Sequence, residues 1–214
     1  MLKPASVYVA RPASGSGSGV LVLHAWWGLN AFLRGFCDRL AGEGFTVLAP
    51  DLYHGAVAAT IDEAKKLRGK LKGEAAEQEI TQAAAELQEL SGHAGIGLVG
   101  FSLGGYWGLW LAEQPGSPVR AAVIFYGARQ GAYADSPASF QFHLAENDPY
   151  VAESGVQKLR KGLQKAGKVA DFYTYARTGH WFFESDRPAA YDPQAAELAW
   201  QRTVEFLGAS RGRP

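Results

Sequence analysis

The pentapeptide Gly100-Phe101-Ser102-Leu103-Gly104 constrains the fold of this chain more than any other stretch. It has the pattern G-x-S-x-G, it follows an apolar run at 96–99, and it precedes an apolar segment at 105–112 that is typical of a buried helix. A strand, a sharp turn and a helix form the setting in which this pattern presents a nucleophilic serine. Gly100 and Gly104 leave room for that turn because neither has a Cβ. The alternative is an ordinary glycine-rich turn between a strand and a helix.

The rest of the chain alternates between apolar runs and amphipathic segments. Strands are predicted at 6–10, 20–24, 46–50, 97–101, 121–126, 139–144 and 169–175, and helices at 31–41, 61–90, 151–166 and 193–207. Gly69 and Gly73 predict a break of the longest segment into two helices, whose charges we interpret as a solvated face. This alternation predicts an α/β fold with a mostly parallel central sheet flanked by helices. Residues 1–214 are expected to form a single domain.

Charge and composition exclude several classes of protein. Lys plus Arg and Asp plus Glu number 21 each, so the formal net charge is +0. Such a balance predicts no binding to nucleic acid or to an anionic membrane. No apolar run approaches the ~20 residues that a membrane span needs, and the first residues lack the apolar core of a signal peptide. Cys37, the single cysteine, is predicted to be buried, and its isolation fits a reducing compartment, so we expect a cytoplasmic protein.

Three residues that could form a catalytic triad each follow a predicted strand. In parallel sheets, functional groups collect at the carboxyl ends of the strands, and Ser102, Asp148 and His180 all lie there. A serine hydroxyl needs a base, which His180 can supply, and the imidazole needs a carboxylate to orient it, which Asp148 can supply. The chain order Ser, Asp, His is the order used by hydrolases with a nucleophile elbow. Glu146 remains an alternative to Asp148.

The remaining histidines and a second aspartate fit other roles better. His24 is expected to be structural, His143 to be a buried polar group with a partner, and His93 to be solvated. His54 lies at the same rim but precedes the serine. Asp51 follows a strand in a setting that predicts a hydrogen-bonded turn.

An oxyanion hole and a binding surface can also be predicted. The backbone N–H of Leu103 is one expected oxyanion donor, and that of Trp26 is the other, with Trp27 as the alternative. The aromatic residues expected to contact substrate are Trp27, Tyr53, Tyr106 and Trp181. The chain has no cysteine pair, no His-Glu-x-x-His spacing and no phosphate-binding glycine loop, so neither a metal nor a cofactor is expected.

At several points the chain resembles the dienelactone hydrolase family of α/β-hydrolases. The matching pieces run nearly end to end and comprise residues 24–30 (HAWWGLN), 49–53 (APDLY), 100–105 (GFSLGG), 179–182 (GHWF), 191–193 (YDP) and 199–203 (AWQRT). The resemblance implies a compact α/β-hydrolase with no large lid that opens small lactones or esters. It implies the triad Ser102, Asp148 and His180, and it supports Trp26 and Leu103 as oxyanion donors.

Differences from the family's type enzyme at three positions change the expected chemistry. Ser102 stands where that enzyme has a cysteine, and Ala25 stands where it has a glutamate beside the thiol. An ordinary Ser–His acyl-enzyme route should therefore replace its thiolate mechanism. Glu184 stands where that enzyme has an arginine for the substrate carboxylate, and nearby Arg187 does not match that position. A neutral small ester or lactone is thus the expected substrate.

The predicted function is that of a serine hydrolase, an esterase or lactonase that needs no cofactor and binds a small-molecule substrate. Two other interpretations remain open. One is a ligand-binding protein with this fold and no catalysis, and the other is an acyltransferase or peptidase that uses the same triad. The sequence does not decide between a monomer and a dimer, nor whether residues 55–75 cover the site.

Overall fold

The computed structural model describes residues 7–210, and its centre is a seven-stranded sheet. The strands are β1 (Val7–Ala10), β2 (Gly19–Leu23), β3 (Thr46–Pro50), β4 (Ile96–Phe101), β5 (Val119–Phe125), β6 (Ser139–Asn147) and β7 (Ala170–Gly179). Their order across the sheet is β1-β3-β2-β4-β5-β6-β7. β1 pairs antiparallel with β3 at one edge, and every other pair is parallel. The predicted α/β architecture is confirmed.

Six helices connect and cover the strands. They are α1 (Ala31–Gly42), α2 (Ile61–Lys70), α3 (Gly73–Ser91), α4 (Leu103–Glu113), α5 (Glu153–Lys165) and α6 (Pro193–Ala209), and a short 3₁₀ helix lies at Tyr133–Asp135. The Asn30 side chain accepts a hydrogen bond from the N–H of Leu33 and caps α1, as the sequence predicts. Thr60 and Glu63 form a capping box that starts α2. None of the helices among residues 7–210 is long and apolar enough to cross a lipid bilayer.

Apolar side chains form a core on each face of the sheet. One core packs α1 and α6 against the sheet, and the other packs α3, α4 and α5 against the opposite face. Strands β2 and β3 are buried along their whole length, which explains their uninterrupted apolar sequences. Cys37 lies inside the first core as a free, buried thiol, as predicted.

The last two strands are longer than the sequence predicts. β6 continues to Asn147 and β7 to Gly179, and the parallel pairing extends to the pair Asn147–Gly179. Backbone pairing sustains these polar ends, which carry no apolar periodicity. As a result Asp148 and His180 each follow the last residue of a strand, and the two strands end side by side. The predicted start of β1 at Ser6, and the expectation about a signal peptide, concern residues outside the described range.

Candidate active site

The turn between β4 and α4 holds Ser102 in a backbone conformation that L-residues rarely adopt, with φ 50° and ψ −106°. The Ser102 N–H donates a hydrogen bond of 2.9 Å to the carbonyl oxygen of Phe125 on the neighbouring strand. A Cβ on Gly104 would lie 2.1 Å from the carbonyl oxygen of Leu23, and one on Gly100 would lie 2.5 Å from that of Gly104. Both glycines are therefore required by close backbone approach, and the predicted elbow geometry is present.

Ser102, His180 and Asp148 form a continuous hydrogen-bonded chain. Nε2 of His180 lies 2.9 Å from Oγ of Ser102, and Nδ1 lies 2.7 Å from Oδ2 of Asp148. The side chains of His180 and Asp148 are 2% and 5% exposed, so water screens their contact little. The structure thus brings together the three residues that the sequence singled out.

Asp148, rather than Glu146, is the carboxylate that contacts the imidazole. Its Oδ1 accepts hydrogen bonds from the N–H groups of Tyr150 and Val151, at 2.8 and 3.0 Å, which fixes the carboxylate while Oδ2 faces His180. The exposed Glu146 side chain instead accepts from the N–H of Arg177 on β7. The two acids are separated by one residue, and only the position after the strand end faces the histidine.

A cavity of about 780 Å³ opens above the triad, and Ser102 and His180 lie in its wall. Trp26 and Leu103, the two residues predicted to donate to an oxyanion, line the same cavity. Among residues 7–210 neither of their backbone N–H groups has a hydrogen-bond partner. The N–H of Trp27 likewise has no partner in the described part of the chain, but Trp27 does not line the cavity. Trp26 therefore lies better than Trp27 for contact with a bound molecule.

Of the four aromatic residues predicted to contact substrate, only Tyr106 lines this cavity. Trp27 is buried between the ring of Trp181 and the guanidinium of Arg187, which lies 3.8 Å from the centre of the Trp27 ring system. Trp181 packs behind Trp26, with ring centroids 5.9 Å apart. The prediction for Trp27 and Trp181 is corrected, because they support the wall from behind.

Tyr53, the fourth predicted contact, also lies away from the cavity. Its ring packs 4.9 Å from the ring of His24, and burial raises the pKa of its hydroxyl to about 12. Because the Tyr53 ring is buried against His24 and does not line the cavity, the prediction that it contacts substrate is corrected.

Helix α2 forms one wall of the cavity, which the sequence did not reveal. Lys65 and Arg68 of this helix line the cavity, as does Leu71, the residue after its end. Among the described residues neither Lys65 nor Arg68 has an ion-pair partner. Both residues are exposed, as a solvated face requires, and they line the cavity as well. Lys65 and Arg68 are three residues apart and therefore lie on one face of α2. Which part of the molecule that face contacts depends on how the helix packs.

Tyr126 and Glu184 form a buried pair beside the histidine, and neither was a predicted site residue. The Tyr126 hydroxyl donates a 2.7 Å hydrogen bond to Oε1 of Glu184, and both side chains are fully buried. Burial raises the pKa of Glu184 to about 8, although the hydrogen bond from Tyr126 opposes this shift. Glu184 therefore lies inside the protein rather than in the cavity wall, and Arg187 is engaged with Trp27.

Aromatic rings surround His180. The ring centroids of Tyr126, Tyr150 and Trp181 lie 4.7, 5.0 and 5.0 Å from that of the imidazole. Tyr126 and Tyr150 also line the cavity. Tyr126 directly follows β5, and Tyr150 lies two residues after Asp148. These positions were the only sequence signal for either residue.

The other polar candidates have structural environments. His24 is buried, and its Nε2 accepts from the N–H of Leu52, while Asp51 accepts from the N–H groups of Tyr53 and Gly55 as the turn prediction requires. His143 contacts Tyr175, Gln141 and Thr203, and burial lowers its pKa to about 3. His54 lies 3.3 Å from Glu79, and His93 is exposed. Within residues 7–210, no group of His, Cys, Asp and Glu side chains is arranged to hold a metal ion.

The sheet order, the strained serine between β4 and α4, and the Ser–His–Asp chain define an α/β-hydrolase. The sequence model described as "Dienelactone hydrolase family" matches residues 5–210. The chain belongs to the dienelactone hydrolase family.

Several known proteins are similar to the chain over nearly all of its length. It is 33% identical to "Protein usf" of Aquifex pyrophilus over 94% of this chain and 91% of the relative. It is 32% identical to the protein named "Putative carboxymethylenebutenolidase" of Aquifex aeolicus, with the same coverage. A crystal structure named "Putative Dienelactone Hydrolase" from Klebsiella pneumoniae superposes with a TM-score of 0.80 at 26% identity, covering 94% of this chain and 92% of the other.

Proposed function

We propose that this protein is a serine hydrolase that cleaves small carboxylic esters or lactones through an acyl-enzyme. The observation that carries the proposal is the hydrogen-bonded chain from Oγ of Ser102 through His180 to Asp148. This hydrogen-bonded chain ends at Ser102, which lines a cavity large enough for a small ester. Family membership makes a hydrolase the expected class, and the name of the Aquifex aeolicus relative specifies a butenolide, which is a lactone.

The proposed reaction proceeds in two halves. Oγ of Ser102 attacks the substrate carbonyl while Nε2 of His180 takes the hydroxyl proton, and Asp148 stabilises the resulting imidazolium. The N–H groups of Trp26 and Leu103 hold the oxyanion. The imidazolium then gives its proton to the departing alkoxide, which stays attached to the acyl chain when the substrate is a lactone. Water, deprotonated by His180, hydrolyses the acyl-enzyme and releases Ser102.

The charge of the cavity favours an anionic group on the substrate over the neutral ester expected from the sequence. Lys65 and Arg68 line the cavity, and neither has a carboxylate partner within residues 7–210. These two cations can pair with a carboxylate of the substrate at some distance from the ester carbonyl.

A fluorophosphonate probe combined with hydrolysis of a short-chain nitrophenyl ester tests this function. We expect one covalent adduct, on Ser102, and loss of esterase activity in proportion to labelling. The variant Ser102→Ala should give neither adduct nor turnover, whereas Ser185→Ala, at an exposed serine in the loop after His180, should behave as wild type. An unlabelled and inactive wild-type protein would favour the non-catalytic interpretation. Transfer to added alcohols or cleavage of amides would favour the acyltransferase or peptidase interpretation.

A further inference from the structure

The pair Tyr126–Glu184 lies between the loop that carries His180 and the strand end that supports Ser102. Phe125, the residue before Tyr126, accepts the hydrogen bond from the Ser102 N–H. On the other side, Glu184 lies in the same short loop as His180, where its N–H donates to the carbonyl oxygen of Trp181 at 2.9 Å. The hydrogen bond from Tyr126 to Glu184 therefore joins two segments that are distant in sequence and that carry the nucleophile and its base.

Tyr126 is held in an unusual backbone conformation at this point. Its φ is 36°, in the region that favours glycine, and its N–H donates 2.8 Å to the carbonyl oxygen of His143. Ser102 and Trp181 are two further non-glycine residues with positive φ. Strained backbone of this kind persists only where surrounding contacts over-determine it, and it is frequent at functional sites.

The Tyr126 ring forms the surface against which the imidazole rests. The centroid of the Tyr126 ring lies 4.7 Å from that of His180 and 5.7 Å from that of Phe182. The hydroxyl contact with Glu184 fixes this ring, because the side chain has no other hydrogen-bond partner among the described residues. Loss of this contact would free the ring, and with it the imidazole, to shift.

We propose that Glu184 is a positioning residue that acts through Tyr126 to hold His180 at hydrogen-bond distance from Ser102. The Glu184 side chain neither lines the cavity nor hydrogen-bonds to the triad, and its hydrogen bond goes to the Tyr126 hydroxyl, whose ring packs against His180. The inference rests on the proposed serine-hydrolase function. Because small displacements of reacting groups lower the rate steeply while leaving substrate contacts intact, the effect belongs to kcat.

Three variants test the proposal. Tyr126→Phe removes the donor, Glu184→Leu removes the acceptor at similar volume, and Glu184→Gln keeps an acceptor oxygen. We expect the first two to lower kcat about tenfold to a hundredfold with KM within about threefold, and Glu184→Gln to stay within about threefold of wild type. The double variant Tyr126→Phe/Glu184→Leu should be no slower than the slower single variant, because both remove one interaction.

A matched control separates positioning from a general loss of stability. Tyr133 is also buried, and its hydroxyl donates to the carbonyl oxygen of Arg129 outside the triad. Tyr133→Phe should lower the melting temperature about as much as Tyr126→Phe and leave kcat unchanged.

The rate of Ser102 labelling by the fluorophosphonate supplies a second readout. The variants with lowered kcat should label about tenfold to a hundredfold more slowly, since labelling uses the same Ser–His contact. Equal labelling rates and equal kcat in wild type, Tyr126→Phe and Glu184→Leu would overturn the positioning role. Additive losses in the double variant would overturn it as well. A wild-type protein that is not labelled at all would instead refute the proposed hydrolase function.

Discussion

Nε2 of His180 lies 2.9 Å from Oγ of Ser102, although 78 positions separate the two residues in the chain. The contact exists because β4 and β7 end at the same edge of the sheet, with β5 and β6 between them. The turn after each strand then supplies one partner. Asp148, which follows β6, completes the chain from the adjacent strand end.

Replacing Asp148 by Asn should remove most of the activity without unfolding the protein. An amide can still accept from the N–H groups of Tyr150 and Val151, but it does not stabilise the His180 imidazolium. We expect kcat to fall by about 10³-fold to 10⁴-fold, the size of effect seen when a triad aspartate is neutralised. Steady-state hydrolysis of the nitrophenyl ester measures it, with near-ultraviolet circular dichroism as the check on folding. A fall of less than about tenfold would contradict the role assigned to Asp148.

The elbow should not tolerate a methyl group at Gly104. A Cβ there would lie 2.1 Å from the carbonyl oxygen of Leu23, so backbone of β2 or α4 would have to move. We expect Gly104→Ala to lower the free energy of unfolding by about 3 kcal/mol or more and to abolish labelling of Ser102.

Gly35→Ala is the matched control for this change. Gly35 lies within α1 with open space around its Cα, so alanine should be neutral or stabilising by up to about 1 kcal/mol. Urea unfolding compares the two variants. Equal stabilities for both would show that the turn can relax and that the glycine is not required.

Lys65 and Arg68 should discriminate between anionic and neutral substrates. Lys65→Gln and Arg68→Gln each remove one cation from the cavity wall, and we expect kcat/KM for a carboxylate-bearing ester to fall about tenfold. The value for the matching neutral ester should change by less than about twofold. Lys66→Gln, on the same helix but away from the cavity, controls for a change in net charge. Equal losses with both esters would show that α2 contributes shape rather than charge.

Glu184 should make stability depend on pH. Its pKa is raised to about 8, whereas an unfolded glutamate titrates near about 4.3. Between these values the folded protein keeps a proton that the unfolded chain releases. The stabilisation is therefore complete below about pH 4 and is lost as pH rises towards about 8, by up to about 1.4 kcal/mol per pH unit.

The variant Glu184→Gln isolates this contribution because glutamine does not titrate. Urea unfolding of wild type and variant from about pH 5 to about pH 9 should show wild type losing stability relative to the variant as pH rises, then a constant difference. A difference that does not vary with pH would mean that Glu184 is ionised in the folded protein throughout this range.

Local sequence was sufficient for the existence of most elements and for the three residues of the Ser–His–Asp hydrogen-bonded chain. Uninterrupted apolar runs such as β2 and β3 are typical of buried strands of a parallel sheet, and Gly100 and Gly104 permit the conformation that Ser102 adopts. The order of Ser102, Asp148 and His180 at successive strand ends then predicted their meeting, because parallel strands bring their carboxyl ends to one edge. Asn30 and Asp51 were likewise predictable, since each bonds backbone within a few residues.

Only the tertiary structure decided what surrounds the triad. Trp27, Tyr53 and Trp181 have the composition of a binding surface, yet neighbouring rings and Arg187 hold them behind the cavity wall. Lys65 and Arg68 have the composition of a solvated face and are exposed, and the placement of α2 also puts them in the wall of the cavity that Ser102 lines. Glu184 is an acidic residue in a loop, yet its side chain is fully buried against Tyr126. Periodicity and turn chemistry act over a few residues, whereas the partner of an outward-facing side chain depends on how distant elements pack.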